Sequence, residues 1–390
     1  MFRSMNRIQW LALAILIAAA PVATRSAEPV VKRLDGTTIE ASQIDATVVR
    51  SMREASVPGV GIAILNDRKV VYLKTYGARD VAANLPLTVD SVMTAASLTK
   101  PAFAAMFLQM VEEGALDLDK PVNKYLPGPL PEHPDYRDLA LDRRYEQITT
   151  RMLLAHTSGF PNWRRFTDDG KLRIFFPPGS RFAYSGEGIL LAQRTAEAIA
   201  GKSAEQLMRE RIFQPLGMTR TSLVWQPQFE SDFANAYDAR GKSRGPQRRK
   251  TPDAAGSMQT TLRDYSRFLQ AVVAGTAPLE KSRALMLAPQ VRITSAHEFP
   301  TLDAETTTAN DAIRLSYGLA WGLYWTPFGK VFFKEGHDTG WQHYAVCFEE
   351  RGLCLLIMTN SDHGEDIYKP LLETLIRNPY TPYEWERFKN

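Results

Sequence analysis

Ser97-Leu98-Thr99-Lys100, followed by the helical run 101–113 and a stop at Gly114, is the stretch on which the reading of this chain turns. It is the only Ser-x-x-Lys in the sequence. A spacing of three puts both side chains on one face of a helix, about a turn apart, where the amine can reach the hydroxyl. A serine hydroxyl is a poor nucleophile until a neighbouring base takes its proton, and a lysine serves if burial depresses its pKa. At a helix start, free backbone N–H groups also favour developing negative charge. Pro101 cannot donate the bond the Ser97 carbonyl would otherwise accept, which predicts a distorted first turn. Alone, the tetrapeptide is weak evidence, because most such matches are a helix start with an exposed lysine, so its surroundings must decide.

Upstream, 42–55 reads as a helix with Ser42 and Asp45 in a capping-box arrangement. Strands follow over 60–65 and 70–76, joined by the polar turn Asn66-Asp67-Arg68. From about 116 to 275 the pattern is helical segments and long polar connections, with helices expected over 149–155, 188–200, 204–212 and 261–274. Gly201 and Gly217 sit where helix stops belong, and the Pro-rich 127–137 reads as a surface loop. Strands return over 317–325, 330–335, 342–348 and 353–359, and a helix over 367–377 follows. The order predicts an α+β fold: an antiparallel sheet flanked by helices and built from both chain ends, with an inserted all-helical lobe over about 116–275.

A Ser-x-x-Lys pair needs helpers. Tyr184 is one candidate, because a phenol near an ammonium loses its proton more easily and can relay it to a leaving group. Lys334, late in a strand, would steady negative charge on substrate or tyrosine, and Gly336 would let substrate lie close against that strand.

With these residues in view, the chain resembles the serine β-lactamase and penicillin-binding-protein-like family, which includes class C β-lactamases, D-alanyl-D-alanine peptidases and related esterases. Its three motifs appear in order as Ser97-Leu98-Thr99-Lys100, Tyr184-Ser185-Gly186 and Lys334-Glu335-Gly336. The stretches Leu153-Leu154-Ala155-His156-Thr157-Ser158-Gly159 and Pro215-Leu216-Gly217-Met218 are similar too. The resemblance implies that Ser97 is acylated, that Lys100 and Tyr184 share general-base and general-acid roles, and that Lys334 and Gly336 bind substrate. It also implies an oxyanion hole from the backbone N–H groups of Ser97 and His337. Two departures bear on specificity. Gly186 stands where the family often has Asn, and Glu335 where it often has Thr or Ser. Both weigh against efficient β-lactam hydrolysis, so an ester or amide substrate is expected. A β-lactamase or D-alanyl-D-alanine carboxypeptidase is the alternative, and a penicillin- or cell-wall-fragment-binding sensor the non-enzymatic one.

Other features bound the answer. Residues 1–27 read as a secretory signal, with Arg3 and Arg7 before an apolar stretch, leaving one hydrolase domain over 28–390. The expected protein is periplasmic or secreted, without a stable membrane anchor after cleavage. The formal charge of +4 falls towards zero once Arg3, Arg7 and Arg25 are removed, which argues against a nucleic-acid partner. The expected partner is a small-molecule or peptide-like acyl substrate. The basic run 240–250 reads as a solvated loop, and the six histidines show no metal-ligand spacing, so no metal or cofactor is expected. His156 reads as structural. Trp163, Phe166, Trp321, Trp325 and Trp341 suit either core packing or an acyl pocket. Cys347 and Cys354 flank a hairpin turn, and either a disulfide or two buried thiols fits them.

Overall fold

The strand Gly59–Asn66 (β1) is buried along its whole length, and apolar up to Leu65, because it lies inside a sheet covered on both faces. The computed structural model describes residues 30–276 and 281–388. Lys69–Asp80 (β2) and Leu85–Pro86 (β3) complete the N-terminal part of this sheet. The other six strands come from the second half of the chain: Val291–Arg292 (β4), Ser316–Tyr317 (β5), Gly322–Thr326 (β6), Gly329–Asp338 (β7), Trp341–Phe348 (β8) and Leu353–Thr359 (β9). The order is β4-β5-β6-β7-β8-β9-β1-β2-β3, antiparallel throughout, so β9 and β1 join the two chain ends.

Alternation along the strands divides two cores. Val60, Ile62 and Ile64 face one way with Val346, Leu355 and Ile357, towards helices Ala41–Ala55 (α1) and Tyr368–Leu375. Ala63 and Leu65 face the other way with Ala345, Leu356 and Met358, towards Thr99–Glu112 (α2) and Leu262–Ala274. Numbered in chain order, Gly186–Ala200 is α3, Leu262–Ala274 α4, Tyr368–Leu375 α5 and the C-terminal Tyr383–Glu386 α6. The inserted middle is mostly helices and turns, with one ribbon of its own, Ala236–Tyr237 against Ser243–Arg244.

Several local expectations are corrected. The capping box of α1 is formed by Glu40 and Gln43 rather than Ser42 and Asp45. Asp45 is instead occupied by the Tyr72 and Tyr76 hydroxyls at 2.6 and 2.7 Å and by Lys74 at 2.6 Å. The stretch read as one strand over 317–325 is two, because the chain turns at Ala320, which adopts φ +65°. The Pro-rich 127–137 holds 3-10 turns that bury Leu130 and Tyr136. Cys347 and Cys354 pair directly across β8 and β9 and form a disulfide. The segment read as a signal, 1–27, lies outside the described residues. Among those described, no helix is long and apolar enough to cross a membrane.

Candidate active site

Ser97 sits in a 3-10 turn, Ala96–Leu98, that runs into α2. Ala96 adopts φ +48°, a conformation most L-residues avoid, so the chain bends sharply just before the serine. Hydrogen bonds hold the bend. The Ala95 N–H donates to the Met258 carbonyl at 2.7 Å, and the Thr99 hydroxyl to the Ala96 carbonyl at 2.6 Å. From the sheet side β7 closes in at Gly336, where a Cβ would stand 2.8 Å from the Ala95 carbonyl oxygen and 3.1 Å from Leu98 Cγ. The space that sequence reasoning kept there for substrate is filled by the Ser97 turn.

Lys100 is 1% exposed. Its Nζ donates to the Ala255 carbonyl at 2.6 Å and lies 2.9 Å from Ser97 Oγ. Burial, reinforced by the positive charge of Lys334, draws Lys100 down to about 7. A lysine so placed is partly neutral at neutral pH and can accept the serine proton.

Tyr184 precedes α3, whose N-cap Ser185 accepts the Gly188 N–H at 2.9 Å and donates to the Pro161 carbonyl at 2.8 Å. The Ser185 N–H donates to His156 Nδ1 at 3.2 Å, and the imidazole lies 4.3 Å from the phenol ring. Burial, with Lys100 and Lys334 nearby, pushes His156 well down, so it is a neutral acceptor that orients this segment. The Tyr184 ring lies 4.8 Å from Lys100 Nζ and 4.6 Å from Lys334 Nζ. Its buried hydroxyl makes no hydrogen bond among the described residues. Sequence reasoning expected the lysines to ease its proton away. Burial outweighs the pull of Lys334 and raises the phenol above its ordinary value, so it is a proton donor in the resting site.

Lys334 is fully buried, ion-paired with Glu335, and outside the lining of the cleft. Burial alone would lower it, but Glu335, Tyr184 and Glu298 hold it above the usual lysine range. It stands behind Tyr184 rather than in contact with the cleft. His337 does line the cleft; its Nδ1 lies 2.8 Å from Glu365 Oε1, which raises the imidazole.

The cleft itself encloses about 580 Å³ and opens onto Ser97, Lys100 and Tyr184. Trp163, Phe166 and Phe299 supply aromatic wall, whereas Trp321 and Trp341 are core residues and Trp325 packs against the core. Gly186 has no room for a side chain, since a Cβ there would meet the Trp163 indole at 2.6 Å. Asn162, from a neighbouring loop, also lines the cleft, and its Oδ1 accepts the Gly186 N–H at 3.1 Å. Arg164 holds that loop to α3 through Glu187, at 2.7 and 3.0 Å. Sequence reasoning missed Asn162, Glu298 and Glu386 and left Arg249 in a solvated loop. Arg249 in fact lines the cleft, facing Asp253 at 3.5 Å and Asp338 at 3.8 Å.

A family model described as Beta-lactamase matches residues 44–376. Esterase EstB of Burkholderia gladioli is 28% identical over 225 residues, covering 51% of this chain and 55% of that protein. A beta-lactamase of Escherichia coli (strain K12) is 24% identical over 238 residues, covering 58% and 59%. The chain thus spans about half the length of the curated relatives it matches. Among solved structures, the octameric penicillin-binding protein homologue from Pyrococcus abyssi superposes with a TM-score of 0.69 at 23% identity, over 87% of this chain and 79% of that one. A beta-lactamase/D-alanine carboxypeptidase from Pseudomonas syringae gives 0.69 at 18% identity, over 85% and 98%. These structural likenesses establish the fold.

Proposed function

The chain belongs to the Beta-lactamase family, and from that premise we propose that it is an exported serine hydrolase cleaving an ester or amide carbonyl through an acyl-enzyme on Ser97. The contact between Lys100 Nζ and Ser97 Oγ, 2.9 Å with the amine buried, carries the reading. Lys100 takes the hydroxyl proton as Oγ attacks the carbonyl carbon. The oxyanion that forms is held by the backbone N–H groups of Ser97 and His337; losing one such donor typically costs about 10²–10³ in rate. Tyr184 gives its proton to the leaving group and recovers one from Lys100, with the Lys334 charge stabilising the transient phenolate. Water then attacks the acyl-Ser97 ester by the same steps in reverse.

The esterase and the beta-lactamase among the relatives support a hydrolase. The Cys347–Cys354 disulfide and the apolar segment before residue 28 support export, because disulfides persist in oxidising compartments. Gly186 and Glu335 favour an ester or ordinary amide over a β-lactam. Ser97→Ala should abolish turnover, and Lys100→Ala should lower it by about 10²–10⁴. Undiminished hydrolysis by folded Ser97→Ala would overturn the proposal.

A further inference from the structure

Phe166 and Phe299 are 68% and 39% exposed, and both line the cleft that opens onto Ser97. Exposed Val49, Val81 and Leu141, by contrast, lie outside its lining. Apolar side chains scattered singly over a surface need no explanation. Aromatic rings left in water at the mouth of one cleft mark a place for an apolar ligand group.

Both rings are held. Phe166 ends the 3-10 turn Arg164–Phe166, its N–H donating to the Trp163 carbonyl at 3.0 Å. The Arg164–Glu187 ion pair ties that turn to α3, and the Arg165 guanidinium lies 4.7 and 4.8 Å from the Trp163 and Phe166 rings. Phe299 meets the Tyr184 ring edge-on at 5.6 Å. Its neighbour Glu298 is 4% exposed, so that stretch offers the cleft a ring more than a carboxyl.

The aromatic part of the lining therefore adjoins Tyr184, through Phe299 at its ring and through Trp163 against Gly186, two residues on. The ion-paired part gathers around Arg249, which faces Asp253 and Asp338. An apolar chain laid there would strip water from charges. Arg165 and Arg387 also line the cleft, but both are exposed, and their charges can stay hydrated beside a bound apolar group. In the reaction proposed above Tyr184 protonates the leaving group, so the departing part of the substrate lies on the aromatic side.

We infer that the group released from the substrate is apolar, an alkyl or aryl alcohol or amine seated against Phe299 and the Trp163–Phe166 wall. The inference rests on the reading of Ser97 as the acylated nucleophile and Tyr184 as the proton donor.

The test compares butyl acetate, hexyl acetate, ethyl butyrate and ethyl hexanoate, with hydrolysis followed by titration of the acid released. Butyl acetate and ethyl butyrate are isomers, as are hexyl acetate and ethyl hexanoate, so only the side that carries the chain differs. From butyl to hexyl acetate kcat/KM should rise about tenfold, near the worth of two buried methylenes. From ethyl butyrate to ethyl hexanoate it should rise less than about threefold. The alcohol-side gain should fall to about threefold or less in Phe299→Ala and in Phe166→Ala. Should Phe299→Ala fail to fold, Phe166→Ala decides alone, since that ring is 68% exposed. An alcohol-side gain below about threefold, an acyl-side gain as large as the alcohol-side one, or a gain that survives in a folded variant overturns the subsite and leaves Ser97 in place. No hydrolysis of any of these esters, or undiminished hydrolysis by Ser97→Ala, overturns the hydrolase reading and the subsite together.

Discussion

The Trp163 indole occupies the volume that a side chain at position 186 would need, three of its carbons lying 2.6–2.9 Å from where a Gly186 Cβ would sit. The glycine is therefore fixed by packing of the cleft wall. Gly186→Asn should destabilise the protein by about 1–3 kcal/mol, the usual penalty for overpacking. Adding Trp163→Ala should recover much of that loss, which a denaturant-based double-mutant cycle would read as coupling between the two positions. Strictly additive effects would show that the two residues do not compete for space.

Lys100 must be neutral to take the Ser97 proton, and burial with the Lys334 charge holds it at about 7. The kcat/KM profile should accordingly fall as pH drops through about 7. Because the Lys334 charge lowers Lys100, removing it must raise Lys100. In Lys334→Met, with folding checked by circular dichroism, the acid limb should move to higher pH. A limb that stays put or moves to lower pH would show that Lys100 is not the base.

Gly336 lets β7 lie against the Ser97 turn, with 2.8 Å between a would-be Cβ and the Ala95 carbonyl oxygen. Gly336→Ala should push that turn away from Lys100. Misplacement by about 1 Å can cost on the order of 10²-fold in rate, so kcat should drop by about ten- to a hundredfold in a protein that remains folded. Wild-type kcat in this variant would rule out tight coupling between strand and turn.

What the sequence reveals and what it hides follow from the range of the interactions. Segments 60–65, 344–348 and 353–358 are almost wholly apolar because both faces of β1, β8 and β9 are covered, and such runs are visible without tertiary knowledge. Ser97 and Lys100 are joined by helical spacing, and their meeting was legible for the same reason. Asn162, Glu298 and Glu386 reach the cleft only through packing between distant segments, so no local spacing marks them. The α1 cap was misread because Asp45, a plausible cap, is held by Tyr72 and Tyr76 from β2, partners that lie far along the chain. In 127–137, proline density hid the 3-10 turns that bury Leu130 and Tyr136.

Cys347 and Cys354 are both fully buried and seven residues apart in sequence. Closing so short a loop should stabilise the fold by about 2 kcal/mol. Reductant present throughout a denaturant titration should lower the unfolding midpoint of the wild-type protein and leave that of Cys347→Ala/Cys354→Ala unmoved. A wild-type midpoint insensitive to reductant would show that the bond adds nothing to stability.

Every step proposed for the cleft depends on Ser97 carrying the acyl group. The most direct test is rapid mixing with p-nitrophenyl butyrate, followed by acid quench, intact-protein mass and peptide mapping. Acylation of Ser97 should give a burst of nitrophenolate and a single butyryl adduct on the peptide containing Ser97, with neither in Ser97→Ala. A butyryl group on another residue, or the same burst from Ser97→Ala, would contradict it.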